Sequence, residues 1–214
     1  MEIRYGSAQL DSPDSEGERK ILAAAERLFA DRGYDSVSVS QIAELAGMSK
    51  GNIFHHFKSK ENLYLAALRG AGMRTATTQD DGEQSLDPLP VRRLRKLFCS
   101  QLHRLTQDHQ ATRLVLRELL DHGSARSKEL AEDIYAEAFA RSVSWVREGQ
   151  QSGELRQGLD PGLLAFLLLA ANVFMFQAEP IFKYMEDAAF VLDPDKYSQA
   201  VFDLLLQGAV EERS

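Results

Sequence analysis

Gly47 interrupts helical periodicity between two short segments, and this break constrains the fold more than any other feature of the chain. The sequence around it, residues 37–58, reads VSVSQIAELAGMSKGNIFHHFK. Its apolar spacing predicts helices over 39–46 and about 50–56. Ala43 is small, so a second helix can cross closely, and the glycine four residues later allows the positive φ that a tight turn requires. The pattern therefore indicates a helix-turn-helix.

Helical patterns continue on both sides of this motif, and no run alternates long enough to predict a strand. A first helix is expected over 18–33, ending at Gly33, and a fourth begins at Ser59. The helices expected in the rest of the chain are 91–107, 109–121, 126–151, 161–186 and 194–212. The prediction is an all-α protein, with an N-terminal three-helix head that contains the helix-turn-helix, joined to a larger helical body.

Composition divides the chain into three parts. Residues 1–16 lack periodicity and are expected to form a flexible arm, residues 17–70 the head and residues 71–214 the body, with a junction over 70–90. The net charge of −7 is unevenly spread, because residues 17–70 carry eight Lys/Arg and six Asp/Glu. A mildly basic head on an acidic body remains compatible with phosphate binding.

Cysteine content and apolar runs predict a soluble cytoplasmic protein with no membrane contact. The single cysteine, Cys99, excludes an internal disulfide and fits a reducing compartment. The N-terminus lacks the apolar segment of a secretory signal. The longest apolar run, residues 163–176, has 14 residues, fewer than the ~20 that a transmembrane helix needs.

The second helix of the motif has the chemistry of a DNA-reading helix. Gly51 has no side chain, so the helix can approach DNA closely, at a cost of up to ~1 kcal/mol of helix stability. The Asn52 amide can pair with base edges, and Lys50 and Lys60 can neutralise phosphates. The residues expected to contact double-stranded DNA are Ser38, Ser40, Lys50, Gly51, Asn52, Phe54, His55, His56 and Lys60.

The stretch GMSKGNIFHHFKSKENLY, residues 47–64, resembles the signature of the tetracycline-repressor-like (TetR) family of bacterial transcription regulators. The resemblance covers about residues 18–68. It implies that His55 and His56 face DNA, although taken alone they could be packing residues. Phe54 stands where the family commonly has tyrosine, and Asn52 where it has Thr or Ser, which leaves the operator sequence open but not the binding mode. The resemblance further implies a homodimeric repressor that a small effector releases from a palindromic operator.

The resemblance also assigns two roles to the helical body, dimerisation and effector binding. The helices near 161–179 and 194–209 are expected to pair in the dimer, because the first is apolar almost all round and one chain covers it only partly; the alternative is a purely intrachain core. Pro180 is expected to kink or end that helix. The effector is expected to be apolar or aromatic. Its lining candidates are Phe98, Leu102, His103, Leu116, Phe139, Trp145, Asn172, Phe174, Met175 and Gln177, although such residues at helical spacing are more often core.

Other functions have weaker support in the sequence. His103, His109 and His122 share no helical turn, so neither a metal site nor a cofactor is expected. No nucleophile–base pair or Gly-rich phosphate loop points to an enzyme. The alternatives left open are an all-α enzyme or metal carrier, and a helical adaptor or ligand-binding protein without DNA function.

Overall fold

The computed structural model describes residues 16–76, 87–121, 132 and 135–207, and within these ranges it contains helices and no strand. The α-helices are α1 Glu16–Arg32, α2 Val39–Ala46, α3 Lys50–Phe57, α4 Lys60–Ala76, α5 Pro90–Gln107, α6 His109–Asp121, α7 Ala136–Gln151, α8 Pro161–Phe182 and α9 Pro194–Gln207. A 3₁₀ segment, Glu186–Leu192, precedes α9. The predicted all-α fold is confirmed.

Several predicted boundaries differ from the observed ones. Glu16 belongs to α1 rather than to an arm, and the rest of that predicted arm lies outside the described residues. α4 continues to Ala76 through two glycines, so the predicted junction does not begin at residue 70. α8 ends at Phe182, four residues early, and the 3₁₀ segment after it was not predicted. Pro180, which was expected to kink or end this helix, lies inside α8, and the helix ends two residues later at Phe182.

Parts of three predictions lie outside the described residues. They are the centre of the junction, residues 77–86, the start of the helix predicted over 126–151, and the end of the helix predicted over 194–212. His122 lies outside the described residues as well. Within the described part, α7 begins at Ala136, and residue 132 precedes it.

The chain divides into two compact units between Ala67 and Leu68, within α4. In the first unit, α1, α2 and α3 contact one another around an apolar core. The Gly33 N–H donates to the Phe29 carbonyl at 2.9 Å with φ of 78°, which ends α1 as expected. The buried side chains of this core include Ile21, Ala25, Leu28, Phe29, Ile42, Ala43, Ile53, Phe57, Leu63 and Tyr64.

In the second unit, α5 packs against α7, α8 and α9. Ion pairs at the edges of this core join the same helices: Arg93 on α5 pairs with Glu148 on α7, and Arg95 with Asp203 on α9. Burial would raise the pKa of Glu148, but hydrogen bonds from Arg93 and Ser144, together with the Arg93 charge, hold this pKa below its ordinary value. The largest core cluster comprises Leu94, Leu97, Phe98, Trp145, Val146, Leu155, Leu164, Leu168, Phe202 and Leu206.

α8 buries one face and exposes another apolar face. An 18-residue window within this 22-residue helix has a mean hydropathy of 1.8, so by length and composition α8 could cross a membrane. The apolar run of 14 residues in the sequence, 163–176, is shorter than α8, the 22-residue helix that contains it. One such helix is weak evidence for a membrane span, because core helices of soluble proteins have the same length and composition.

Gly149 provides a test of packing in the body. A Cβ at this position would lie 2.9 Å from Leu155 Cδ1 and 3.7 Å from Pro90 Cβ. Because overpacking costs about 1–3 kcal/mol and alanine regains up to ~1 kcal/mol of helix propensity, Gly149→Ala is expected to lower the free energy of unfolding by about 1 kcal/mol. Urea unfolding followed by Trp145 fluorescence measures this change. Gly158→Ala, where a Cβ would meet no atom of the described residues within 4 Å, is the control and is expected to change the stability little.

Candidate nucleic-acid interface

The turn between α2 and α3 has the geometry that its glycine predicts. Gly47 has φ of 65° and ψ of 33°, in the left-handed region. The Met48 N–H donates to the Ala43 carbonyl at 2.9 Å and the Gly47 N–H to the Glu44 carbonyl at 3.2 Å, which is the hydrogen-bond pattern of a Schellman motif. The predicted positive φ is confirmed, and it directs the chain sharply from one helix into the next.

Side-chain caps fix where α2 and α3 begin. Ser38 Oγ accepts from the Gln41 N–H at 3.3 Å, and the Ser38 N–H donates to Gln41 Oε1 at 2.8 Å, forming a capping box. Ser49 Oγ accepts from the Asn52 N–H at 3.1 Å. Gln41 was not singled out from the sequence, although Ser38 followed by Gln three residues later is the known signature. Ser40 is exposed in the first turn of α2.

α3 presents two opposite faces. Ile53 and Phe57 are buried in the head, which fixes the orientation of the helix. On the other side Phe54 is 47% exposed, and Lys50, Gly51 and His55 are exposed as well. His56 is half-buried, with its ring 5.4 Å from that of His55 and 6.1 Å from that of Phe57. The outer face therefore carries the Lys50 ammonium group, the Phe54 ring and the His55 imidazole around Gly51, which has no side chain.

Gly51 has no internal packing requirement. Among the described residues, a Cβ added there would meet only Ser49 Oγ, at 3.8 Å, which is an ordinary contact. Its backbone is helical, with no positive φ. Neither contacts with the described residues nor the backbone conformation explains glycine at a place where alanine favours the helix.

Asn52 is half-buried and partly engaged within the head. Its Nδ2 lies 3.6 Å from Met48 Sδ, toward which it donates. Thioether sulfur is a weak acceptor, so the amide can leave it for a base edge at little cost. The amide of Asn52 thus lies at the margin of the outer face rather than at its centre.

Lys60 is held at the start of α4 by a ring. Its Nζ lies 4.1 Å from the centroid of Tyr34, and Tyr34 packs against Phe29 and Tyr64. Ser59 Oγ caps this helix by accepting from the Asn62 N–H at 3.0 Å. The sequence did not point to Tyr34, because a contact between residues 26 positions apart leaves no periodic pattern.

The joint between α3 and α4 is a strained turn at Lys58. This residue has φ of 61° and ψ of −35° and is the non-glycine residue with positive φ in the described part of the chain. The Ser59 N–H donates to the Phe57 carbonyl at 2.6 Å, so the three residues form a γ-turn of the rare, strained form. The tight turn brings the Ser59 cap and Lys60 directly after the end of α3.

The predicted lining residues of the body do not gather around one space. Phe98 and Trp145 belong to the largest core cluster, Leu102 and Met175 to a second cluster, and Leu116 to a third. Asn172 is fully buried, and Phe139 is half-buried. A cavity between α5, α7 and α8 is lined by Leu94, Leu97, Phe98, Ser142, Ala165, Leu168 and Leu169, so Phe98 is the predicted residue that it includes.

Three of the predicted lining residues are exposed in the single chain. His103 lies on the surface with its Nε2 2.6 Å from Gln107 Nε2, and Gln177 is exposed as well. Phe174 is 67% exposed, because it falls on the outer face of α8 rather than on the face that packs against α5. Among the described residues, no group of three or more His, Cys, Asp or Glu side chains could hold a metal ion.

The fold and the exposed tip of α3 define a helix-turn-helix DNA-binding protein, and comparisons with known proteins agree. The family model described as bacterial regulatory proteins, tetR family, matches residues 21–67, and the one described as tetracyclin repressor-like, C-terminal domain, matches residues 90–195. The chain belongs to the TetR family, and as a member it is a DNA-binding transcriptional regulator.

Curated relatives and solved structures support this assignment. The HTH-type transcriptional regulator RutR of Escherichia coli K12 is 32% identical over 158 residues, covering 72% of this chain and 71% of RutR. The repressor AcnR of Corynebacterium diphtheriae is 47% identical over 58 residues, 27% of this chain and 30% of AcnR. The fatty acid degradation regulator FadR from Bacillus halodurans has the same fold, with a TM-score of 0.72 at 20% identity over 89% of this chain and 98% of that chain.

Proposed function

We propose that the protein is a cytoplasmic homodimer that represses transcription from a palindromic operator and is released by a small, largely apolar effector. The observation that carries the DNA-binding mode is the open surface at Gly51, where no contact with the described part of the head requires a glycine. Helix tips of this kind enter the major groove, and flanking cations and hydroxyls hold phosphates. The proposed DNA contacts are Ser38, Ser40, Lys50, Gly51, Asn52, Phe54, His55, His56 and Lys60.

The proposed dimer surface is the outer face of α8 together with α9. Leu163, Phe166, Leu167 and Phe174 are 41–67% exposed and share one helical face. α9 contacts α8 and exposes Leu204. An exposed apolar surface of this kind is unusual for a monomer. A second copy is the proposed cover rather than a membrane, because the opposite face of α8 packs against α5 and α7.

The effector is proposed to bind within the body and to act on the spacing of the two heads in the dimer. A dimer reads two half-sites about one helical turn of DNA apart, so a change in that spacing weakens both contacts together. A coupling free energy of about 1–3 kcal/mol is typical of such regulation. The cavity between α5, α7 and α8 is the proposed starting point of the effector site.

Substitutions at Asn52 and Lys60 test the proposed contacts separately. Lys60→Ala is expected to weaken binding to all duplexes and to reduce the slope of log K against log salt concentration by about 1, because one phosphate contact is lost. Asn52→Ala is expected to lower the preference for operator over scrambled duplex by about 1–3 kcal/mol, because a base contact is lost. Fluorescence anisotropy at several salt concentrations, on an operator selected from random duplexes, measures both.

The control for charge is Lys20→Ala. Lys20 is on the exposed part of α1, where it pairs with Glu16 at 2.7 Å. Its removal takes one positive charge from the same unit without touching the motif. Equal salt slopes for Lys60→Ala and native protein, or unchanged preference in Asn52→Ala, would show that the contacts are assigned to the wrong residues.

A further inference from the structure

Asn172 is buried in the body with half of its hydrogen-bonding capacity unused. Its side chain is fully buried. Its Nδ2 donates to the Phe98 carbonyl at 2.8 Å and to Gln101 Oε1 at 2.9 Å. Its Oδ1 is buried without a hydrogen-bond partner among the described residues. The orientation of the amide is fixed, because the Phe98 carbonyl can only accept and a flipped amide would set two acceptors against each other.

Asn172 lies about one helical turn beyond the lining of the cavity between α5, α7 and α8 and is not itself one of the lining residues. It follows the lining residues Leu168 and Leu169 by four and three positions, on the same part of the α8 surface, and bonds to the lining residue Phe98. The volume of this cavity that the centre of a water molecule can occupy is about 10 Å³. This is room for about one water molecule. A larger occupant therefore has to displace some of the leucine side chains of the lining.

Two buried polar side chains in or beside the cavity, Ser142 and Asn172, offer acceptors rather than donors. Ser142 lines the cavity and is buried. Its hydroxyl donates to the Ala138 carbonyl at 2.9 Å, so only its oxygen lone pairs remain for an occupant. Asn172 Oδ1 is the second acceptor. A buried acceptor without a partner is unfavourable, and an incoming donor relieves that penalty.

We infer that this cavity is the closed form of the effector site and that its ligand is an aliphatic molecule carrying one hydroxyl or N–H group, which donates to Asn172 Oδ1. The inference rests on the proposed role of the body as the effector-binding unit. Four leucines, an alanine and a phenylalanine select the aliphatic part. Molecules whose polar end only accepts hydrogen bonds, such as ethers and ketones, leave the Asn172 oxygen unpaired and bind more weakly.

The test compares two isomeric probes, 1-octanol and heptyl methyl ether, which differ in the presence of an O–H donor. Trp145 is the single tryptophan of the chain and packs in the core cluster with Leu94, Leu97, Phe98 and Leu168 of the cavity lining, so its fluorescence reports entry. In the full-length native protein, 1-octanol is expected to bind about 5-fold or more tightly than the ether. Equal affinities, or no fluorescence change with either probe up to its solubility, overturn the inference.

Two variants assign the preference to the Asn172 oxygen. Asn172→Leu keeps a similar volume without this acceptor and is expected to reduce the preference for the alcohol to what the Ser142 oxygen alone supplies. Gln101→Met removes the acceptor of one Asn172 N–H but leaves Oδ1 in place, and is expected to keep the preference for the alcohol. A preference as large in Asn172→Leu as in native protein overturns the inference, and the comparison of the two probes in native protein decides if that variant does not fold. Operator binding without probe remains a separate readout, so a failed probe preference leaves the proposed DNA function standing.

Discussion

The double substitution Leu163→Asp, Phe166→Asp is expected to give monomers that bind operator DNA about 100-fold or more weakly than native protein. In a two-fold dimer each surface meets its own copy, so the two substitutions set four carboxylates into one apolar contact. The loss of affinity follows because two linked heads bind a palindrome with an avidity about 10²–10⁴ times that of either head. Both residues are 57% exposed in the single chain, so the substitutions should not disturb its core.

Sedimentation equilibrium gives the mass, and anisotropy on the palindromic operator gives the affinity. Leu120→Asp is the matched control, because Leu120 is 77% exposed on α6 and is not part of the proposed surface; it is expected to leave both quantities unchanged. Far-ultraviolet circular dichroism and Trp145 fluorescence report whether the folds are intact. A folded double variant that remains dimeric would place the dimer contact elsewhere.

Gly51→Leu is expected to lower operator affinity by about 10- to 100-fold while leaving the head as stable as before or more stable. The experiment tests whether operator affinity falls while the stability of the head is kept or rises. Leucine favours a helix over glycine by up to ~1 kcal/mol, and among the described residues only Ser49 Oγ lies within 4 Å of a Cβ at position 51. At the DNA interface the same side chain would overfill the contact, which costs about 1–3 kcal/mol. Gly51→Ala is expected to show the same pattern with a smaller loss of affinity.

Urea unfolding and anisotropy on the same preparations measure the two effects. Gly70→Ala is the matched control, since a Cβ there, in the middle of α4, would meet only Arg74 Nη1 among the described residues, at 3.6 Å. It is expected to add stability without changing operator affinity. If Gly51→Leu binds operator as tightly as native protein does, the tip of α3 does not come close to DNA.

The helix-turn-helix could be predicted closely because its signals are local. Gly47, the serine caps and the apolar spacing lie within about twenty residues, and each fixes backbone geometry through neighbours along the chain. The predicted range of α2 was the observed one. Contacts between residues far apart in the sequence, such as that of Lys60 with Tyr34, could not be predicted because they produce no periodic pattern.

The body was predicted less well for the same reason. Apolar residues at helical spacing identify helices, but they do not tell which face meets a neighbouring helix and which meets solvent. Phe174 and Met175 are adjacent in sequence, yet Phe174 is exposed and Met175 is buried. The 3₁₀ segment was missed because its turn geometry, with a kink at Ala188, follows neither helical nor strand periodicity.

The ring of Tyr34 gives Lys60 a further property. An ammonium group resting on an aromatic face has already given up part of the freedom of its flexible chain during folding. If Lys60 then meets a phosphate as proposed, less entropy remains to be lost at that moment, and ordering a long side chain otherwise costs about 0.5–1.5 kcal/mol. The aromatic cluster of the head thus prepares a cation for its partner before the two molecules meet.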